Sequence, residues 1–254
     1  MRGEGLGIEK LSVRFGGLLA VDEVTLSAPG GAITGLIGPN GAGKTTTFNA
    51  CTGTVPVTSG SVSLFEHDLS HHGPASRAQS GLGRTFQRME LFDSMTVAEN
   101  VALGPEAALA GRHLWSHLIS PPRQRRDIAQ RADDALAGCG LSHLGQHRVR
   151  DLSTGQRRLV ELARALASGF RFLLLDEPSS GLDKIETERF AEIISGAVAS
   201  GLGILLVEHD MALVRSVCEY VYVLDFGQLI FEGSMAEAQN SEVVRAAYLG
   251  SEAA

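Results

Sequence analysis

One short stretch strongly limits how this chain can fold, because an apolar run, a glycine-rich loop and a helix-forming run follow one another without a break. The sequence AITGLIG, at 32–38, predicts a buried strand that ends at Gly38. The sequence KTTTFNACTG, at 44–53, predicts a helix that ends at Gly53, since glycine readily adopts the left-handed conformation that follows helix C-termini. A strand that passes directly into a helix through glycines is typical of α/β proteins with a parallel sheet.

The loop between this strand and helix has the form of a phosphate-binding site. Residues 38–45, GPNGAGKT, match G-x-x-x-x-G-K-[ST]. Its glycines allow main-chain N–H groups to point at phosphate oxygens, and the helix N-terminus adds its positive end. We expect Lys44 to reach the β- and γ-phosphates of a nucleotide, and the Thr45 hydroxyl to bind Mg²⁺. The predicted nucleotide contacts in this loop are Gly38, Pro39, Asn40, Gly41, Ala42, Gly43, Lys44, Thr45 and Thr46.

The rest of the chain alternates between strand-like and helix-like patterns. IEKLSVRF and VDEVTLSA predict a hairpin near the N-terminus, and SGSVSLFEHDL predicts one further strand. From MTVAENVAL to about Ala167 the pattern is mostly helical, interrupted by SPPRQRR at 120–126. After that, short apolar strands and helices alternate, among them a helix predicted over MALVRSVCEY at 211–220, up to a hairpin that turns near 225–227.

These patterns predict an α/β fold. We expect a P-loop NTPase core with a parallel sheet, an N-terminal antiparallel β-subdomain and an inserted α-helical subdomain. The expected arrangement is a single domain over 1–254, with the catalytic core and β-subdomain at 1–87 and 167–254 and the helical insertion at 88–166.

Two carboxylates follow the apolar run FLLL at 172–175. Ligands bind at the carboxyl ends of strands in open α/β sheets, so Asp176 is placed to hold Mg²⁺ or a water bound to it. Glu177 points to the other side of the strand and is the candidate that polarises an attacking water. The next apolar strand, ILLV at 204–207, leads to His209, which is placed to contact the γ-phosphate. The simpler alternatives are a charged pair that merely ends a strand and a solvated histidine.

Two further residues are candidates for contacts with the nucleotide or its metal. Gln87, in RTFQRMELF, lies where the core gives way to the helical insertion, and its amide could touch Mg²⁺ or water and sense the γ-phosphate. Phe15, in VRFGG, could stack its ring on adenine. The simpler interpretations are a surface glutamine and a core phenylalanine.

A second helix start with small residues lies more than a hundred positions after the phosphate loop, in DLSTGQRRLVELARALA at 151–167. Ser153 is placed to cap this helix. The cap does not require Gly155, which costs a helix about 1 kcal/mol relative to alanine. A close approach of a ligand's oxygens to the main chain would account for this glycine.

The overall composition narrows the class of protein. The net charge is −7, which gives no general attraction to nucleic acid or acidic lipid. The cysteines Cys51, Cys139 and Cys218 are odd in number and far apart, which argues against a disulfide framework. The apolar runs are far shorter than the roughly 20 residues of a bilayer span, so we expect any membrane role to come through a partner.

Taken together, these motifs resemble those of the ABC-type ATPase family. The resemblance runs from about Ile8 to Gly250 and follows the family's order: Phe15, GPNGAGKTT, Gln87, LSTGQ, LLLDE, SSGLD and EH. In that family the LSTGQ signature closes over ATP bound to the other subunit. Ser153, Gly155 and Gln156 would therefore contact nucleotide in trans. Thr154 stands where the family usually has glycine, and it retains a main-chain N–H group.

The resemblance also implies a role for each site residue. Glu177 would be the general base, and His209 would contact the γ-phosphate. Thr45, Gln87 and Asp176 would surround Mg²⁺, and Asp183 would lie at the seam between subunits. The implied cofactors are ATP and Mg²⁺.

Within the family, RFGGLLAVDEV, GRTFQRMELFDSMTVAENV, STGQRRLVELARALA and VEHDMALV are similar to the ATP-binding subunit of branched-chain amino acid importers. This implies two transmembrane permease subunits, a second ATPase subunit in a heterodimer or homodimer, and an extracytoplasmic solute-binding protein as an indirect partner. It also implies a peripheral position at the cytoplasmic face of the inner or plasma membrane. The alternatives are the ATPase of a lipopolysaccharide-type exporter and a soluble ABC mechanoenzyme, although the acidic composition disfavours a nucleic-acid partner.

Overall fold

The structure is a computed structural model that describes residues 4–85, 90–110 and 122–251. Its first sheet is antiparallel and has the strand order β2-β1-β4-β5. Apolar residues of the two long strands face inward and form part of the core, as the hairpin pattern predicts. The strands of this sheet are β1 (Gly5–Phe15), β2 (Leu18–Pro29), β4 (Ser59–Leu64) and β5 (His67–Asp68).

The second sheet carries the predicted phosphate loop. Its strand order is β10-β9-β3-β8-β7-β6, and every neighbouring pair is parallel except β9 and β10. The three adjacent strands β3, β8 and β7 are buried along their whole length, as expected for a sheet covered on both faces. Its strands are β3 (Ile33–Ile37), β6 (Leu82–Arg84), β7 (Phe172–Asp176), β8 (Gly203–Val207), β9 (Tyr220–Asp225) and β10 (Gln228–Ser234).

Helices cover one face of this sheet, and the antiparallel sheet together with one further helix covers the other. Three of the helices pack together between β6 and β7 in the chain. These three are α3 (Val97–Ala110), α4 (Pro122–Gly138) and α5 (Thr154–Ala167). The others are α1 (Lys44–Thr52), α2 (Pro74–Gln79), α6 (Lys184–Ala199), α7 (Met211–Val217), α8 (Met235–Asn240) and α9 (Glu242–Ser251). The predicted α/β class, with its antiparallel β part and its helical insertion, is therefore confirmed.

The cysteines belong to the interior. Cys51, Cys139 and Cys218 are all buried thiols, and none of them forms a disulfide. Burial raises the pKa of each of these three thiols to about 12, since the thiolate would lose its hydration. They pack as small apolar residues.

Local structure differs from the sequence prediction at three places. The single strand predicted for SGSVSLFEHDL is a hairpin, because Phe65 adopts a positive φ and reverses the chain between β4 and β5. The predicted break at 120–126 is wrong for 122–126, because Pro122 begins α4 at a position where a missing N–H group costs nothing. The helix predicted up to Tyr220 ends at Val217, and Tyr220 already belongs to β9.

No helix in the part of the chain that the structure describes is both long enough and apolar enough to span a bilayer.

Candidate functional site

The predicted phosphate loop lies between β3 and α1, and two of its glycines are required by close contacts. A Cβ atom at Gly38 would lie 2.0 Å from the Leu224 carbonyl oxygen, and one at Gly43 would lie 2.7 Å from the Ala20 carbonyl oxygen. Gly43 precedes α1 in a left-handed conformation, and no side chain caps this helix. The N-terminus of α1 therefore presents main-chain N–H groups to the loop.

Lys44 is buried and turns back into its own loop. Its Nζ donates hydrogen bonds to the carbonyl oxygens of Gly38 at 2.7 Å and Pro39 at 2.9 Å. Burial lowers the pKa of Lys44, whereas the nearby charges of Glu177 and Asp176 raise it. The structure thus brings the predicted lysine and both predicted carboxylates into one electrostatic environment.

Segments distant in sequence support the loop from outside. The Gly227 N–H donates to the Ala42 carbonyl at 3.0 Å, which joins the turn between β9 and β10 to the loop. The Gly38 N–H donates to the hydroxyl of Tyr248, which belongs to α9. No pattern in the sequence predicts either contact.

Asp176 ends β7, as predicted, and has a partner that the sequence analysis missed. Nη2 of Arg84 lies 2.7 Å from Oδ2 of Asp176, and both side chains are almost fully buried. Nη1 of Arg84 donates to Oδ1 of Asn49 in α1 at 2.6 Å. Arg84 therefore joins the helix that follows the phosphate loop to the end of β7. Arg84 is the last residue of β6, and no motif in the sequence marks it as a partner of Asp176.

Glu177 and His209 meet at the carboxyl ends of adjacent strands. Oε1 of Glu177 lies 2.7 Å from Nε2 of His209. The side chain of Glu177 is 20% exposed and that of His209 is 42% exposed, so water can reach both. This pairing joins the residue predicted to act as a base to the residue predicted to contact the γ-phosphate.

The signature segment begins α5 with a reciprocal cap. Oγ of Ser153 accepts the Gln156 N–H at 3.2 Å, and Oε1 of Gln156 accepts the Ser153 N–H at 3.0 Å. The predicted N-cap is therefore present. The S-x-x-Q spacing that completes it was visible in the sequence.

A contact within a single chain explains why residue 155 is glycine. It is buried, and a Cβ atom there would lie 1.9 Å from Oε1 of Glu186. Glu186 also completes a capping box with Asp183 at the start of α6, through bonds of 2.8 and 3.1 Å. The oxygens that approach this glycine are therefore those of a carboxylate of the same chain, so Gly155 does not by itself require a ligand.

The remaining predicted residues are exposed, partly buried, buried or outside the described part of the chain. Phe15 is 49% exposed, so it is not the core phenylalanine that was the alternative interpretation. Asn40, Gly41 and Thr45 are exposed, Thr46 is partly buried, and Pro39 and Ala42 are buried. Gln87 lies outside the described residues, and its predicted contacts stay predictions.

The fold and this loop define a P-loop ATP-binding cassette, and comparison with known proteins gives the family. The ABC transporter family matches residues 21–180, and a family described as branched-chain amino acid ATP-binding cassette transporter matches residues 228–254. The chain belongs to the ABC transporter family, whose ATP-binding cassettes hydrolyse ATP.

Two curated relatives of similar identity carry different names. The high-affinity branched-chain amino acid transport ATP-binding protein LivG of Salmonella typhimurium is 38% identical over 249 residues, which cover 96% of this chain and 97% of LivG. The lipopolysaccharide export system ATP-binding protein LptB of Haemophilus influenzae is 36% identical over 245 residues, which cover 96% of this chain and 97% of LptB.

Solved structures agree with this assignment. A nucleotide-free ATP-binding cassette from an ABC transporter superposes with a TM-score of 0.84 at 30% identity, over 96% of this chain and 98% of that one. An ATP-binding cassette in its ADP conformation gives a TM-score of 0.85 at 30% identity, over 97% of this chain and 99% of that one.

Proposed function

We propose that this chain is the ATP-hydrolysing subunit of a membrane ABC importer for branched-chain amino acids or a related small solute. The similarity to LivG supports the solute class. The match of residues 228–254 to the branched-chain amino acid cassette family also supports this solute class. The matched residues include Tyr248, which lies beside the phosphate loop. ATP-driven closing and opening of a dimer would power the permease.

The alternative is the ATPase of a lipopolysaccharide-type exporter. LptB supports it, since its identity and coverage are nearly those of LivG. The two functions differ in their partners and cargo. Deletion of the gene from its host should reduce uptake of labelled leucine or a related solute if the chain serves an importer. Normal uptake together with defective lipopolysaccharide export would favour the alternative.

The nucleotide site is assigned to the phosphate loop. Main-chain N–H groups at 43–46 and the Lys44 ammonium would hold the phosphates, and Phe15 would stack on the base. The oxygen donors Thr45 and Asp176, with the amide of Gln87, fit the preference of Mg²⁺ for oxygen ligands. When bound there, the metal would neutralise charge on the phosphates.

Glu177 is assigned as the general base and His209 as its orienting partner. A carboxylate that is partly exposed can accept a proton from water, and the 2.7 Å contact with His209 restricts where that carboxylate points. This contact between two residues predicted from separate motifs is the observation that carries the proposed hydrolysis.

The active form is proposed to be a dimer with a second ATPase subunit, either identical or related. Ser153, Gly155 and Gln156 would complete the nucleotide site of the other subunit through the N-terminus of α5. Asp183, which caps α6, and Glu186, which lies against Gly155, would lie near the same seam.

Two transmembrane permease subunits would hold the chain at the cytoplasmic face of the inner or plasma membrane, with an extracytoplasmic solute-binding protein acting through them. A groove of about 1330 Å³ between the helical insertion and the core has room for a helix of the permease. Alanines and Phe92 line much of this groove. Arg164 of α5 donates to the Glu90 carbonyl at 2.6 Å, and the Glu90 N–H donates to Glu161. The signature helix is thus tied to the groove's edge.

A single substitution tests the hydrolysis mechanism. Glu177→Gln should bind ATP with normal affinity and turn it over at least about a hundredfold more slowly, because the amide cannot accept the water's proton. Steady-state phosphate release and fluorescent-nucleotide binding measure the two quantities. Glu188→Gln, at a side chain that is 64% exposed, is the matched control and should have normal turnover. Normal turnover by Glu177→Gln would overturn the assignment.

A further inference from the structure

Glu208, the residue before His209, is a buried carboxylate with no role in the mechanism above. It is 2% exposed and follows the last residue of β8. Its carboxylate accepts three main-chain N–H groups: Ser179 at 2.7 Å, His209 at 3.0 Å and Asp210 at 3.3 Å. Hydrogen bonds to an ionised group are among the stronger ones in proteins, so this carboxylate is firmly held.

The two oxygens of this carboxylate bind two different loops. Oε1 accepts the N–H of Ser179, in the loop that follows β7 and Glu177. Oε2 accepts the N–H groups of His209 and Asp210, in the loop that follows β8. One side chain therefore fixes the spacing between the loop that carries Glu177 and the loop that carries His209.

The backbone of Glu177 explains why such a bridge is needed. Its φ of 48° lies in the left-handed region, which is costly for a residue with a side chain. The Glu177 N–H donates to the Val207 carbonyl at 2.8 Å, and two residues later Ser179 donates to Glu208. Consecutive residues at the end of β8 thus hold the turn at Glu177 from both sides.

We propose that Glu208 is a positioning residue that holds the Glu177 carboxylate and the His209 ring in register for hydrolysis. It acts through main-chain N–H groups on both loops. The inference rests on the proposed role of Glu177 as general base. It predicts that loosening the bridge slows the chemical step and leaves nucleotide binding largely unchanged, because the phosphate loop is not part of the bridge.

The test uses Glu208→Gln in the full-length protein. The amide has the same shape, but its NH₂ group cannot accept, so one of the two loops loses its partner. We expect kcat to fall by about thirtyfold and the dissociation constant of a fluorescent ATP analogue to stay within about twofold, as for a misplaced catalytic group. Glu208→Asp keeps the charge, is one carbon too short to reach both loops, and should also lower kcat.

Two comparisons separate positioning from simple loss of stability. Asp210→Ala removes a neighbouring carboxylate that caps α7 and does not bridge the loops, so it should lower the unfolding temperature with kcat nearly unchanged. In a double-mutant cycle, adding Glu208→Gln to His209→Ala should slow hydrolysis little further, because both act on one pair.

The outcomes distinguish the inference from the proposed function. Normal kcat in Glu208→Gln, fully additive effects in the cycle, or an equal fall in kcat for Asp210→Ala would each overturn the positioning role. Glu177→Gln is measured in parallel. If Glu177→Gln hydrolysed ATP at the normal rate, the proposed general base would be wrong. If Glu177→Gln were inactive and Glu208→Gln fully active, only the positioning role of Glu208 would be refuted.

Discussion

The helices α1 and α5 begin in opposite ways, although glycine and hydroxyl residues mark the start of each. α1 follows Gly43, which is left-handed, and no side chain caps it. α5 follows Ser153, which is extended and forms a reciprocal cap with Gln156. The first turn of α5 also has the Glu186 carboxylate against Gly155. One N-terminus is open to an anion, whereas side chains of the same chain already occupy the other.

This difference indicates where a single chain can bind nucleotide. Phosphate can approach the N–H groups and positive end of α1 without displacing a side-chain cap. At α5 it would meet the like charge of Glu186, which must be screened or moved. We therefore expect one subunit to bind nucleotide through α1, and α5 to contribute only when a second subunit brings nucleotide to it.

The largest expected effect is a loss of ATP affinity at the open N-terminus of α1. Lys44→Ala should weaken ATP binding by about a thousandfold, or about 4 kcal/mol, since it removes the buried ammonium that is proposed to contact the phosphates. Equilibrium binding of a fluorescent ATP analogue measures this. Lys184→Ala, at a side chain that is 90% exposed, should bind normally. Unchanged affinity in Lys44→Ala would mean that the open helix start is not the nucleotide site.

A second large effect, on stability, is expected at Arg84, which joins α1 to the end of β7. Arg84→Met should lower the free energy of unfolding by about 3 kcal/mol, because it leaves the buried Asp176 carboxylate without its ion pair. Urea unfolding followed by circular dichroism gives this value. Arg131→Met is the control, since its ion pair with Asp127 is half exposed and worth about 0.5 kcal/mol or less. Equal losses in both variants would contradict the account.

A substitution at the capped N-terminus of α5 should have an intermediate effect on hydrolysis. Gly155→Leu should drive the Glu186 carboxylate from its place and slow hydrolysis about thirtyfold, or about 2 kcal/mol in the barrier, with ATP affinity retained. Phosphate release and nucleotide binding test the two statements. Gly196→Ala, where an added Cβ meets no neighbouring atom, should have normal turnover. Normal hydrolysis by Gly155→Leu would remove this helix start from the site.

The smallest effect separates capping from function. Ser153→Ala and Ser234→Ala each remove one capping box, so each should lower stability by about 1 kcal/mol. Only Ser153→Ala should also slow hydrolysis, since Ser234 begins α8, away from the signature. Thermal unfolding and turnover of the two variants should be compared side by side. Equal turnover would leave Ser153 with a capping role alone.

The sequence predicted those parts of the site that depend on local pattern and strand order. The phosphate loop follows from glycine spacing between a strand and a helix. The meeting of Glu177 and His209 follows from the rule that parallel strands end at one edge of the sheet.

Contacts that neither a motif nor the order of strands brings together could not be predicted. Arg84 and Asp176 are paired across 92 positions, and no local pattern joins them. Gly155 suggested a ligand because sequence alone cannot show that Glu186 packs against it. Two capping boxes, those at Ser153 and Asp183, were the exception, since S-x-x-Q and D-x-x-E are visible in the sequence and only the Ser153 cap was predicted.

Nucleotide-dependent association of Glu177→Gln most directly tests the shared site. Sedimentation velocity with MgATP should give a species of twice the 26.9 kDa chain mass, and the same protein without nucleotide should sediment as a monomer. Adding Gly155→Leu should abolish the dimer and leave ATP binding intact. A Glu177→Gln protein that binds MgATP yet stays monomeric at every concentration, or a dimer that Gly155→Leu does not weaken, would contradict the account.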